Sequence, residues 1–306
     1  MTNDPTPSTP LPGWVRTLAV VTGVAALPVM FLGAQTTTME VGMVDPQGYR
    51  QPWESVSLLF QDLGLGYLVE HGHRLAAWSI GGFVLLLTAV LAFVERRPSV
   101  RYWSFGVAVL IFIQAMLGRY RVDLNAMFGK NMALIHGVFA QIVFASIFTL
   151  VWFVLRPVGP TSDSASPRLR RVGGIVIGLF LLQILMGAFV RHRPAPLFGR
   201  LHLLGAFIVF GMSFSLIYAA RQNPGFRSIA NWIMALMTIQ VILGVEAWMY
   251  WTKRLYGITD PGTESLAIHL TRTLHYMFGS FLFSAIVITF VKARLASSPN
   301  REVAAA

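Results

Sequence analysis

Eight separate stretches of this chain are apolar and long enough to cross the hydrocarbon core of a bilayer, which takes about 20 residues of helix. They run over roughly residues 15–34, 71–94, 101–119, 133–155, 173–190, 201–220, 229–250 and 269–291. Because lipid offers no partner to backbone N–H and C=O groups, each stretch is read as a transmembrane helix and the chain as an all-α integral membrane protein. A large soluble core is the competing reading of a sequence that is 55% hydrophobic, but only 12% of the residues are charged, about half the share usual in soluble domains. The first 14 residues, MTNDPTPSTPLPGW, are polar and proline-rich with no basic run before the apolar stretch. They read as a disordered cytoplasmic tail rather than a cleaved signal, and the first helix as retained.

The formal net charge of +11 sorts by membrane side, so it suggests topology rather than a nucleic-acid partner. With the N-terminus inside, Arg16, Arg96, Arg97, Arg101, Arg156, Arg168, Arg170, Arg171, Arg221, Arg227, Lys292, Arg294 and Arg301 fall on the inner side. Most acids, namely Glu40, Asp45, Glu54, Asp62, Glu70, Asp123, Glu246, Asp260 and Glu264, fall on the outer side. The bias places both termini in the cytoplasm of a multi-pass cell-membrane protein. Arg119, Arg121, Lys130, Arg191, Arg193, Arg200, Lys253 and Arg254 crowd the outer side, either as helix-end groups snorkelling to the lipid headgroups or as an anion-binding set. The chain has no cysteine, which excludes disulfides, iron–sulfur clusters and thiolate or c-type heme attachment, and restricts a metal site to His, Met or carboxylate.

An internal repeat organises the eight helices. The third, fifth and seventh stretches end on IQAMLG at Gly118, LQILMG at Gly187 and IQVILG at Gly244, each with glutamine four residues before glycine; the first ends LPVMFLG at Gly33, with Val29 in the glutamine position. The helices that follow open on HRLAA at His73, HGVFA at His136, HLLGA at His202 and HYMFG at His275. Each is a histidine with a small residue at i+4, one turn further on the same face. Small residues are common at helix-packing positions in membranes, and a single histidine there carries little weight. Four in one register point to a shared ligand role, the small residue letting a flat macrocycle approach the imidazole. His71 points to another face, His192 falls in an outer loop, and His269 has Thr273 at i+4, so these three stand outside the pattern, with His269 kept as the alternative to His275.

Two imidazoles on facing helices can hold one heme iron between them, so the chain has axial ligands for two hemes. The duplication pairs His73 with His136 in a first half, residues 15–156, and His202 with His275 in a second, residues 173–292, joined by a cytoplasmic linker at 157–172 and followed by a tail at 293–306. The expected architecture is thus two pseudo-symmetric four-helix bundles. All four ligands lie at the outer end, which does not suit an electron wire across the membrane. Only the first half carries a carboxylate three residues before its ligand: Glu70 precedes His73, where Gly199 and Arg272 precede His202 and His275. Glu70 reads either as a water-exposed first-turn residue favoured by the helix dipole or as a proton-handling group beside a heme being changed, the second half then holding a permanent heme.

Eight helices in two halves, the Glu70-x-x-His73-Arg74 signature and single histidines opening the fourth, sixth and eighth helices resemble the heme A synthase family over about residues 15–292. The resemblance implies oxidation of the C8 methyl of heme O to the formyl of heme A for cytochrome oxidase. It implies that Glu70, His73 and His136 serve the substrate heme O, and that His202 and His275 ligate a bound heme b. Heme O synthase and oxidase assembly factors would be the partners. Many bacterial members carry a cysteine pair in the first outer loop. This loop lacks one, so thiol-dependent steps do not transfer. The other function classes that fit are a cytochrome b-type carrier oxidising quinol and a non-catalytic heme-handling assembly protein. Arg119, Arg121, Arg191, Arg193 and Arg200 are candidates to pair with heme propionates, and Trp53, Leu58, Leu59, Phe60 and Leu63 suggest an interfacial helix in the first outer loop.

Overall fold

A computed structural model describes residues 10–45, 50–61, 63–156, 165–193, 195–258 and 265–296. Residues 1–9, 157–164 and 297–306, on which most of the expected tails and half of the linker fall, lie outside the described residues, as do Asp62, Asp260, Glu264 and Arg301. The described chain is all-helical: α1 (Gly13–Thr38), α2 (Pro52–Leu59), α3 (Leu65–Val94), α4 (Pro98–Asp123), α5 (Asn125–Phe128), α6 (Lys130–Leu155), α7 (Pro167–His192), α8 (Pro196–Arg221), α9 (Arg227–Leu255) and α10 (Leu266–Leu295). The eight long helices are long and apolar enough to cross a membrane. Several run past the apolar stretches, because backbone hydrogen bonding continues where side chains turn polar. α7 begins inside the stretch read as linker, and α10 continues beyond residue 292.

Starts are local. Proline occupies the first turn of α2, α4, α7 and α8, where its missing N–H has no intrahelical acceptor to lose. Ser166 caps α7, its hydroxyl accepting from the Leu169 N–H at 3.3 Å. The long helices close into two rings of contact in the same order, α1–α3–α4–α6 and α7–α8–α9–α10, and the rings meet along α6–α10, α1–α10 and α6–α7. This pattern is compatible with two pseudo-symmetric four-helix halves. Val84, Leu87, Leu91 and Leu150 lie at the centre of the first ring and Leu169, Leu216, Ile233 and Ile286 at that of the second, all fully buried. Between the rings Phe281 of α10 meets Phe144 and Phe148 of α6 edge-on at 5.4 and 5.6 Å, and the Tyr276 hydroxyl donates to the Gly137 carbonyl at 3.1 Å.

At the end of the molecule away from the four histidines, buried Glu95 in the turn between α3 and α4 accepts from the Arg97 side chain at 2.6 Å and from its backbone N–H at 2.8 Å, while Arg97 also donates to the Phe153 carbonyl of α6 at 3.0 Å. Burial alone would raise the Glu95 carboxyl, but the Arg97 hydrogen bonds and charge outweigh it and hold the group below its ordinary value of 4.5. A depressed carboxylate contributes stability above its unfolded value and loses it as pH falls through the folded one. Glu95→Gln is therefore expected to cost about 2 kcal/mol at neutral pH. The deficit against wild type should shrink below pH 4.5, as thermal unfolding in detergent at both pH values would show.

The first outer loop carries the expected short helix. In α2 Glu54 accepts from the Gln51 N–H at 2.6 Å, closing the N-terminal turn, and Trp53 and Phe60 stay 68% and 86% exposed. One side of α2 packs on α3, so it is more than a helix lying on the lipid surface. It is held to the histidine end of the first ring.

Candidate functional site

The four repeat histidines open into one end of the molecule, and each meets the glycine that ends the preceding long helix. A Cβ placed at Gly33 would stand 2.7 Å from Cε1 of His73, at Gly118 3.1 Å from that of His136, at Gly187 3.0 Å from that of His202, and at Gly244 3.1 Å from that of His275. At Gly33 a side chain would force the imidazole to shift, and at the other three it would press on a ring that has to give by a few tenths of an ångström. Each of the four histidines is half-buried.

The glutamine of the repeat has a partner too. The carboxamide nitrogen of Gln114 lies 3.3 Å from Nε2 of His136, that of Gln183 3.1 Å from Nδ1 of His202, and that of Gln240 3.4 Å from Nε2 of His275. At the fourth pair, where Val29 replaces glutamine, Nδ1–H of His73 donates to the Val29 carbonyl at 3.0 Å. The small residues after the histidines have a use that the sequence reading did not assign. The space over Gly279 is filled by the Gln240 amide at 3.1 Å, and a Cβ at Gly205, three residues after His202, would meet the Gln183 oxygen. The repeat's small residue Gly279 thus has the Gln240 amide beside it, and in the second half's other helix pair Gly205, one residue before the repeat position Ala206, has Gln183 beside it.

In the first half Glu70 is buried rather than water-exposed. One carboxylate oxygen accepts from the N–H groups of Val44 and Asp45, both at 3.1 Å, and the other from Arg74 at 2.7 Å. The residue thus ties the loop after α1 to α3, one turn from His73. His71, set aside in the sequence reading as pointing elsewhere, does turn from His73 but is fully buried. Its Nδ1 lies 3.2 Å from the Ser55 hydroxyl, its Nε2 3.4 Å from Asp45, which is itself ion-paired to Arg50, and its ring stacks on Tyr67. No sequence signal distinguished it, since its partners come from two other segments. Where a free helix-face histidine would tolerate replacement, His71→Leu is expected to loosen residues 41–45 and 50–61 by removing its buried hydrogen bond to Ser55, worth about 1–3 kcal/mol. Limited proteolysis of the purified protein should show cleavage there at least about tenfold faster than in wild type.

In the second half the place of Glu70 is taken by Gly199, and the indole of Trp251 lies where a side chain at 199 would go. A carboxylate is therefore replaced by an aromatic wall. His192, expected in a loop, is the last residue of α7 and is buried. His275, and not His269, meets Gly244 and faces His202, the two ring centres 6.4 Å apart at 83°.

A family model for cytochrome oxidase assembly protein, COX15-CtaA, matches residues 16–200. The chain belongs to this heme A synthase family. The match spans the first ring from residue 16 of α1 onward, including Glu70, His73 and His136, and stops two residues before His202. No curated protein matches at a significant level.

The resemblance implies porphyrins, and the site can be compared with what such a group would need. Two metal–nitrogen bonds of about 2 Å, with about 1 Å more from each nitrogen to its ring centre, separate the rings across one iron by roughly 6 Å, which the His202–His275 spacing matches. Nδ1 of His136 and of His275 is buried with no hydrogen-bond partner, a cost that a metal bond removes. Among the described residues no cluster of three or more His, Asp or Glu side chains has metal-ligand spacing. The arginines also separate. Arg119 pairs with Asp123 on the surface, Arg193 donates to Asn131 at 2.5 Å, and Arg200 is exposed. Arg191 instead reaches from α7 to the Ala34 carbonyl and the Thr38 hydroxyl of α1 and lies over the Tyr276 ring at 5.1 Å. Arg121 lies against Gly42 under the outer loop, within electrostatic range of Glu70 and His73. Arg191 makes its hydrogen bonds to neutral acceptors, and neither it nor Arg121 forms an ion pair with a carboxylate of the described chain. Such cations are suited to the carboxylates of a ligand.

Proposed function

We propose that the protein is a heme A synthase: it oxidises the C8 methyl of heme O to a formyl group, with His73 and His136 holding the substrate and His202 and His275 holding a resident heme b. The observation that carries this reading is one construction, glycine against imidazole, at four helix pairs of one end, with a carboxylate, among the described residues, beside only the first of them. Heme b when bound supplies one-electron redox chemistry. The chain's own residues orient, shield and move protons. His73, its Nδ1–H held by the Val29 carbonyl, presents its other nitrogen to the substrate iron. Glu70, one turn away and clasped by Arg74, is the carboxylate placed to take up and pass on protons beside the substrate. The outer loop with α2, tied down by Glu70 and His71, covers this half and keeps bulk water out, while the Trp251 wall closes the half that performs no chemistry on its porphyrin. Arg121 and Arg191 receive propionates.

In this reading the chain lies in the cell membrane with both termini cytoplasmic, takes its substrate from the enzyme that makes heme O, and serves cytochrome oxidase assembly. Coexpression with a heme O-producing enzyme, followed by mass analysis of extracted pigment, tests it. A formyl-bearing heme that appears only when this chain is present is the expected result. Two permanent protohemes reducible by quinol, with no formyl product, would overturn the reading in favour of an electron carrier.

A further inference from the structure

Toward the end of the molecule away from the four histidines, the seam between the two rings leaves a gap. α6 and α9 each pack on α10 but do not meet, and the space between them is a groove of about 450 Å³, within the range of sites that hold small molecules. α10 forms its floor, low where Ser284 and Ala285 stand, with Phe148 and Trp152 on the α6 side and Trp232 on the α9 side. The groove follows α10 from Phe281 to Lys292, about 16 Å at about 1.5 Å per residue. That is the depth of one leaflet's hydrocarbon, half of a core about 30 Å thick.

Charge is confined to the far end. Among the described residues that line the groove, Lys292 carries the only charge and none is acidic. Its ammonium donates to the Gly225 carbonyl at 2.5 Å and lies over the Phe226 ring at 4.6 Å, which fixes it beside the turn before α9. Arg156, just past α6, lies over the Trp152 ring at 5.4 Å and brings a second cation to the same mouth. We propose that the groove binds an anionic phospholipid, one acyl chain lying over Ser284 and Ala285 and the phosphate against Lys292 and Arg156. An apolar channel one leaflet long that ends in cations between membrane helices has the chemistry of such a lipid. Its chain touches α6 of one ring and α9 and α10 of the other, and so closes their seam. A quinol or a zwitterionic lipid brings no net negative charge to that end, so the cations favour the anionic headgroup over both. That the lipid comes from the cytoplasmic leaflet rests on the orientation proposed above; the binding itself does not.

The test uses full-length protein in nanodiscs of phosphatidylcholine with a rising share of phosphatidylglycerol whose brominated chains quench tryptophan on contact, at low ionic strength. Quenching of Trp152 and Trp232 is obtained by difference from the Trp152→Phe/Trp232→Phe protein. Both leaflets have one composition, so the outcome does not depend on which way the chain faces. Phosphatidylglycerol is expected to win these positions over brominated phosphatidylcholine by about 20-fold, and Lys292→Gln, which keeps a donor for Gly225, and Arg156→Gln should each lower that preference about fivefold, the scale of one juxtamembrane cation. Ala285→Phe, which fills the floor, should remove the saturable quenching by either lipid. Equal affinity for the two lipids in wild type, or an unchanged preference in both Lys292→Gln and Arg156→Gln, would overturn the anionic site. Displacement of brominated phosphatidylglycerol by an equal concentration of a short-chain quinone would overturn phospholipid as the occupant. If Lys292→Gln failed to accumulate, Arg156→Gln and the loss of the preference in about 1 M salt would decide. The measurement needs no porphyrin, so its failure is distinct from a failure of the heme reading.

Discussion

Purified His275→Leu protein is expected to lack the bis-histidine b-type spectrum, and His202→Leu to behave alike. The two rings share one approach, centres 6.4 Å apart, so removing either leaves an iron with one protein ligand. Leucine fills a comparable volume against Gly187 or Gly244, and both variants should insert and accumulate, separating loss of ligand from loss of fold. His269→Leu is the control: it lies on the same helix but does not meet the glycine of α9, and should retain the spectrum. Full heme content with an unchanged spectrum in both His202→Leu and His275→Leu would rule out the pairing.

Glu70→Gln is expected to insert, to keep heme b at His202 and His275, and to accumulate heme O or its hydroxylated form, with heme A production down on the order of 100-fold, the scale of a lost general acid–base group. The substitution has a second consequence visible only in the structure. An amide nitrogen facing the N–H groups of Val44 and Asp45, or Arg74, would oppose donor to donor, so the outer loop loosens as well. His71→Leu separates the two effects, because it loosens the same loop without changing the carboxylate. If its heme A yield fell as far as that of Glu70→Gln, the proton-handling role would give way to loop closure. If Glu70→Gln made normal heme A, both roles would be excluded.

The helices and the histidine register were readable in the chain because they depend on properties that repeat locally. Apolar length marks a span whatever surrounds it, and a histidine at the same offset in four helices is a pattern in one dimension. The glutamine and glycine that precede those histidines were equally visible, but their meaning was not. Gln114 lies 22 residues from His136, and Gln240 lies 35 from His275. Only the packing of α4 on α6 and of α9 on α10 shows that the amide meets the ring. Gly279 was legible as a small residue, but that the Gln240 amide comes against it was not, since small residues serve any neighbour that comes close.

The sequence by itself determined an all-helical membrane chain, a fourfold repeat, four candidate ligands at one end and a carboxylate in only one half, because hydrophobic length, helical period and residue chemistry are set within a few turns. Tertiary structure alone decided that Glu70 and His71 bind the outer loop, that Trp251 occupies the place equivalent to Glu70 in the other half, and that Arg191 bridges α7 to α1. Each is a contact between segments distant in the chain. Such contacts follow from which helix faces meet, and the low amphipathic contrast of helices that are apolar all round leaves those faces unmarked in the sequence.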